Sequence, residues 1–312
     1  MKIALAQIAP VWLDRTATLK KIIAHVERAA VADSELVVFG ESILPGYPFW
    51  LDGTGGARFN DPVQKDLYAH YATEAVCIGD GALEPLCGRC RELNMAVVLG
   101  IVERPLDRGG SSVYCSMVYI DATGKIRNVH RKLQPTHEER LVWSPGDGHG
   151  LRTFPIGGFQ LGGLNCWENW MPLPRAALYA QGETLHCAIW PGNARNTEVL
   201  TRFLAREGRS YCLSVSGIMR PEDVPASVPH RAMILEHLGK MPADGGTCLA
   251  APDGNWIIEP IVGREALVFA DIDPREVLRE RQNFDPSGHY SRPDVIRLDV
   301  NRERQSVARF RD

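Results

Sequence analysis

The sequence predicts an α/β fold built from layers with mixed sheets. Three observations carry that reading: short apolar runs that alternate like strands, stretches at helical spacing between them, and strand pairs joined by turn residues. With 312 residues, 45% of them hydrophobic, the chain is long enough to bury a large core.

Each element follows in order. KIALAQIA (2–9) alternates apolar with small or polar residues, as a strand does. Leu19, Ile22, Ile23, Val26 and Ala30 recur at helical spacing and predict an amphipathic helix over 17–31. ELVVFGES (35–42) reads as a buried strand, followed by a loop rich in Pro, Gly and aromatics. Residues 61–93 read as mainly helical and MAVVLGIVER (95–104) as a strand. SVYCSMVYID (112–121) and IRNVHRKL (126–133) form a hairpin, with Gly124 in its turn. LRTFPI (151–156) and FQLGGLNC (159–166) are two more strands, with a helix over 172–181. HCAIWPG (186–192) is a strand, 196–210 a helix and YCLSVSGI (211–218) a strand. The stretch 219–245 is less regular. Residues 246–273 read as three strands with a turn at Pro252-Asp253-Gly254-Asn255, then a short helix over 274–282. No linker, repeat or charge block divides the chain, so 1–312 reads as a single domain with an irregular tail from about 284.

The formal net charge is −3, without the basic excess that nucleic acid or an anionic membrane would attract. No apolar run approaches the roughly 20 residues that span a bilayer, and MKIALAQIAP lacks the pattern of a signal peptide. The expectation is a soluble, cytoplasmic protein acting on a small, roughly neutral substrate. The eight cysteines are sparse, and several sit inside apolar runs as small core residues. Cys87-Gly-Arg-Cys90 has the C-x-x-C spacing, but no second pair completes a zinc site, so neither metal nor cofactor is expected.

GGLNCWENW (162–170) raises the functional question. A small, apolar approach ends at Cys166, where a strand pattern stops and helix-compatible sequence soon begins. Such a junction can expose a thiol beside backbone N–H groups that stabilise an anion. A thiol nucleophile needs a base and a proton source. His130, His137 and His149 are candidates by position, without a cysteine-protease context around any of them. Glu41 ends the apolar run ELVVFGE and Lys132 ends IRNVHRK, which places a carboxylate, an ammonium and a thiol at three strand ends.

The segments FGESILPGYP, HRKLQPTHEER and LNCWENWMPL together resemble the nitrilase (carbon–nitrogen hydrolase) superfamily, in that order and from the first strand to about residue 300. The resemblance implies a four-layer αββα sandwich with two mixed sheets. It implies Glu41, Lys132 and Cys166 as catalytic triad and Glu139 as a second catalytic glutamate, with Glu138 a neighbour on the loop. CWEN after the strand and YPFW after Glu41 look like the nitrilase branch, whereas amidase and carbamoylase branches usually carry Asp or Arg near the cysteine; WSPGDG (143–148) departs from a glycine-richer version. The implied activity is hydrolysis of an organic nitrile to carboxylic acid and ammonia through a thioimidate and a thioester. The alternatives are a cyanide-converting or nitrile-hydrating relative, or an amidase. Tyr47, Trp50, Trp143, Trp167 and Trp190 are the aromatics that could line an apolar substrate pocket. The superfamily pairs subunits across a helical face, so a homodimer or larger homo-oligomer is expected.

Overall fold

The computed structural model describes residues 1–308 and 311, so the last part of the predicted tail, residues 309, 310 and 312, lies outside the described residues. The strands are β1 (Lys2–Gln7), β2 (Leu36–Phe39), β3 (Ala96–Glu103), β4 (Tyr114–Ile120), β5 (Ile126–Arg131), β6 (Phe154–Ile156), β7 (Phe159–Asn165), β8 (Leu185–Trp190), β9 (Tyr211–Ser216), β10 (Ile218–Met219), β11 (Ala243–Ala250), β12 (Trp256–Val262) and β13 (Ala266–Asp271). The helices are α1 (Arg15–Val31), α2 (Trp50–Gly53), α3 (Pro62–Glu74), α4 (Glu84–Leu93), α5 (Pro172–Tyr179), α6 (Ala194–Gly208), α7 (Arg231–His237) and α8 (Pro274–Arg281).

The strands form two mixed sheets. The first has the order β13-β1-β2-β3-β4-β5, with β1, β2 and β3 parallel. The second has the order β10-β11-β9-β8-β7-β6, with β7, β8 and β9 parallel and β12 added beside β11. Strand alternation explains how they stack. Ile3 and Leu5 of β1, with Leu36 and Val38 of β2, meet Leu185, Ile189, Leu213 and Val215 of the second sheet in one buried cluster. The intervening Ala4, Ala6, Val37 and Phe39 face the other way and pack on Ile22 and Val26 of α1 and Leu86 and Cys90 of α4. On the outer face of the second sheet, Ala188 and Trp190 pack on Leu200 and Leu204 of α6. The layers therefore run helix, sheet, sheet, helix, which is the αββα sandwich the motifs implied. Central strands buried on both faces carry apolar side chains on both, so they read as continuous apolar runs in the sequence.

Several boundaries differ from expectation for local reasons. Helix α1 begins at Arg15, because Asp14 caps it by accepting from the Ala17 N–H. The predicted helical stretch 61–93 is broken at 75–83, where Val76 leaves helical geometry to exchange hydrogen bonds with Val102 of β3 and Arg104 just past it. The strand expected to reach 133 ends at Arg131, and the one expected from 151 begins at Phe154. The irregular stretch 219–245 contains α7 and the start of β11. Residues 283–308 hold no helix or strand. No helix among the described residues is long and apolar enough to cross a membrane.

Candidate active site

Each charged or nucleophilic residue at a strand end lies just past the last paired residue. Glu41 follows β2 by two positions, Lys132 follows β5 and Cys166 follows β7. Glu41 is fixed across the sandwich, since its N–H donates to the Trp190 carbonyl at 3.0 Å. This contact needs Gly40, because a Cβ there would stand 2.8 Å from the same carbonyl oxygen and 2.7 Å from the Gly217 nitrogen. The Lys132 N–H bonds to the Cys115 carbonyl at 2.8 Å, which carries the β4–β5 pairing one residue past the strand.

The side chains meet in a closed cluster. Lys132 Nζ donates to Glu41 Oε1 at 2.8 Å and to Glu139 Oε2 at 2.7 Å. Its ammonium lies 5.4 Å from the centre of the Trp143 ring, within cation–π range. Glu139 sits in the turn His137–Leu141, and its Oε2 also accepts from the Thr136 N–H. The Tyr47 hydroxyl is 3.1 Å from Glu139 Oε1 and 3.1 Å from Glu138 Oε1. Oxygens of Glu41 and Glu139 and the Cys166 sulfur all lie within 4.8 Å of one another, a spacing that could hold a metal ion. The positive charge between the two carboxylates is supplied by Lys132 itself.

Burial shapes the titration of these groups. It pushes Glu41 up to about 7, against the pull of Lys132 and with the like charge of Glu139 adding to the rise. Burial likewise drives the Cys166 thiol well above its ordinary value, and the charge of Glu41 adds to it, while Lys132 and the Trp167 N–H oppose the shift. Burial alone would lower Lys132, but Glu41, Cys166 and Glu139 hold its ammonium well above the ordinary lysine value. The resting cluster therefore holds a protonated thiol beside a carboxylate that titrates near neutrality. Glu41 Oε1 takes Lys132 and the Cys115 thiol, the latter at 3.1 Å. Glu41 Oε2 is buried and has no hydrogen-bond partner among the described residues.

Cys166 opens a tight turn, Cys166–Trp170, with φ of 45°, an unfavourable backbone region for a residue with a Cβ. Local hydrogen bonds hold it there. Asn169 Nδ2 donates to the Cys166 carbonyl at 2.8 Å, and its Oδ1 meets His186 Nε2 at 2.7 Å. His186 in turn meets Glu183 at 2.9 Å. The glycine approach to Cys166 finds its reason here, since a Cβ on Gly162 would stand 2.1 Å from Glu183 Oε1.

A cavity of about 500 Å³ opens onto the cluster, with Glu139 and Cys166 in its wall. Tyr47, Trp50 and Trp167 line it, and Trp167 is about half exposed. Trp143 and Trp190 were expected on the same wall and stand behind it. Trp190 is fully buried, packs in the α6 cluster and donates to Ser214 at 3.1 Å. Trp143 is buried edge-on against Tyr47 and donates to the Tyr71 hydroxyl. The candidate bases separate as well. His137 and His149 bond to Glu138 and to the Arg302 carbonyl, and His130 lies buried against Glu168. Cys115 and Glu168 were not singled out from the sequence. Cys115 is indistinguishable there from a core cysteine, whereas the Asn165-x-x-Glu168 spacing is a capping-box signal that marks the turn.

The carbon–nitrogen hydrolase family model matches residues 2–281. A protein named nitrilase 2, from an unknown prokaryotic organism, is 37% identical over 313 residues, covering 99% of this chain and 95% of its own length. A nitrilase from Pseudomonas syringae pv. syringae (strain B728a) is 36% identical, covering 96% of this chain and 90% of its own. Among solved structures, an amidase from Nesterenkonia sp. shares the fold at 20% identity with a TM-score of 0.66, covering 91% of this chain and 94% of the amidase. The chain therefore belongs to the carbon–nitrogen hydrolase family, on its nitrilase branch.

Proposed function

We propose that this protein hydrolyses an organic nitrile to the carboxylic acid and ammonia, with Cys166 as nucleophile, Glu41 as general base, Lys132 as electrostatic stabiliser and Glu139 as second catalytic carboxylate. The observation that carries the reading is Glu41 Oε2, buried in the cluster with the Cys166 thiol and without a hydrogen-bond partner among the described residues, while the single ammonium of Lys132 serves both Glu41 Oε1 and Glu139 Oε2. A buried acceptor without a donor has a lone pair open to a proton, and its missing hydrogen bond raises its affinity for one. With its pKa near 7, Glu41 is tuned to take the Cys166 proton and return it.

The steps follow from this geometry. Glu41 accepts the thiol proton as sulfur bonds to the nitrile carbon. One carbon–nitrogen π bond breaks, and the nitrogen takes the proton back from Glu41, giving a covalent thioimidate. Lys132 and the Trp167 N–H stabilise the charge that develops during attack. A water, deprotonated by Glu41 or Glu139, adds to the thioimidate carbon. The carbon–nitrogen bond breaks, ammonia leaves with the protons gathered, and a thioester remains. A second water adds and expels the sulfur, releasing the acid and restoring the thiol. Two waters are consumed for each acid and ammonia formed. Routing the reaction through a covalent adduct divides one high barrier into smaller ones.

The proposal includes a homodimer or larger homo-oligomer, supported by exposed apolar side chains on and beside α5 and α6, among them Trp170, Leu173, Val199 and Phe203. It also includes a cytoplasmic location. Light scattering on the purified protein tests the assembly. The decisive measurement is ammonia release from aliphatic, aromatic and arylacetonitrile substrates, with the matching amides and cyanide in parallel. Acid and ammonia from a nitrile are expected, and Cys166→Ala should lose about 10⁴-fold or more of that activity. Turnover of amides with no turnover of nitriles would move the protein to the amidase reading. Full activity in Cys166→Ala would remove the nucleophile from the scheme.

A further inference from the structure

We infer that Glu168 is a positioning residue of this hydrolysis, a single buried carboxylate that holds the Lys132 and Cys166 backbones in register with each other. The inference rests on the reading of Lys132 and Cys166 as working partners. These two residues follow β5 and β7, which belong to different sheets, so no strand ladder ties them together. Glu168 does. Its Oε1 accepts from the N–H of Leu133, the residue after Lys132, at 2.7 Å. Its Oε2 accepts from the N–H of Asn165, the residue before Cys166, at 2.9 Å. His130 Nε2 lies 3.2 Å and 3.1 Å from the two oxygens, and the Glu168 side chain has no solvent exposure.

A helix-cap role explains only part of this. The Asn165 bond, with the reciprocal bond from the Glu168 N–H to the Asn165 side chain, is a capping box and stays within one turn. The bonds to Leu133 and His130 reach 35 and 38 residues back along the chain, and a cap has no use for them. His130 Nδ1 is buried without a partner among the described residues. A proton on that nitrogen would be an unmet buried donor, so the proton belongs on Nε2, facing the carboxylate. Glu168 thus collects three N–H donors and offers no proton of its own. Both oxygens must accept at once. A glutamine, with the same shape, offers one acceptor and one NH2, so whichever way it turns it faces a backbone N–H with another donor.

The test uses the full-length enzyme. Cys166 is counted in each variant by iodoacetamide labelling, with Cys166→Ala subtracted, and kcat is expressed per labelled site. Glu168→Gln should lower kcat about 10²-fold, the order expected from a misplacement of about 1 Å, with little change in KM. The rate constant for Cys166 labelling should fall with it. Glu168→Asp keeps both acceptors on a shorter stem and should recover part of the loss, and His130→Phe, which leaves both backbone bonds, should lose least. A Glu168→Gln enzyme with reduced melting temperature but wild-type kcat per labelled site would reduce Glu168 to a fold-stabilising residue and overturn the inference. Should that variant not fold, Glu168→Asp decides the question: a reduced kcat per site supports positioning, and a wild-type value overturns it. If the wild type releases no ammonia from any nitrile or amide, the proposed function fails, and the labelling rates still judge the clamp.

Discussion

Arg131 and Lys132 are consecutive residues, both almost fully buried and each bonded to two acids, yet they build clusters of opposite kinds. Successive side chains at a strand end point to opposite sides, so the chain delivers one cation to each. Arg131 donates to both oxygens of Glu103 at 2.9 Å and to Asp107 at 3.0 Å. Ser116 adds a bond to Glu103 Oε2, and the guanidinium lies over the Tyr114 ring. Every Glu103 oxygen is met. Around Lys132, one Glu41 oxygen has no partner among the described residues, a thiol stands within reach, and a cavity opens alongside. A buried ion pair alone is therefore a poor sign of function. An acceptor left open beside a nucleophile and a cavity is a better one.

Two parallel substitutions would break that contrast if it is false. Lys132→Met removes the ammonium proposed to stabilise charge on the reacting nitrogen and leaves two carboxylates without their counter-ion. Activity should fall about 10²–10³-fold or more, and Cys166 labelling should change with it. Arg131→Met removes one partner of a buried pair and should cost about 3–5 kcal/mol of stability. The kcat of the fraction that stays folded should remain close to wild type. Urea midpoints and kcat measured on both proteins make the comparison. Equal losses of kcat would mean that the two clusters act as one unit.

A pH series sharpens the same contrast. Burial raises Glu41 from its ordinary 4.5 to about 7, despite Lys132. As base toward a protonated thiol it must be ionised, so kcat/KM should rise about tenfold per pH unit below 7 and level off above it. An ascending limb centred near 4.5 would show that the titrating base is not raised by burial. The stability effect has the opposite sign. Between 4.5 and 7 the folded state holds the Glu41 proton more tightly than the unfolded state does, so stability falls with rising pH across that window. The stabilisation is fully present below 4.5 and lost as pH passes 7. In Glu41→Gln this part of the pH dependence of the urea midpoint should vanish.

The contrast also explains what the amino-acid order could convey. Glu41 and Cys166 end apolar or small-residue strand runs and Lys132 ends a more polar strand pattern, so position drew attention to all three, but a solvated strand end fits such a position equally well and their roles came through the resemblance to a family. Glu139 has no such signal: it lies in a polar loop beside Glu138, and it was picked out through resemblance to a family. The strands were legible because those buried on both faces are largely apolar, whereas the order of the layers came only through the resemblance to a family. The break of the helical stretch at Val76 was not, because it depends on pairing with Val102 far along the chain. Cys115 reads as one more small core residue in VYCSMVYI, and only the fold brings its sulfur to Glu41.

Aromatic residues were the least legible, since a pocket wall and a core ask for the same side chains, and this gives the smallest of the expected effects. Trp167 and Trp190 were both candidates for substrate contact, Trp167 the stronger because it adjoins Cys166. The first is about half exposed in the cavity wall, and the second is buried and bonded to Ser214. Trp167→Ala keeps the backbone N–H that faces the Cys166 sulfur and removes only apolar surface. It should therefore raise KM for arylacetonitriles by about tenfold or less, the worth of roughly 50 Å² of apolar contact, and leave kcat nearly unchanged. Trp190→Phe should leave KM alone and lower stability by about 1 kcal/mol through the lost hydrogen bond. A KM that rises in Trp190→Phe and holds in Trp167→Ala would reverse the assignment, and the arylalkyl group would then have to lie against the α6 side of the site.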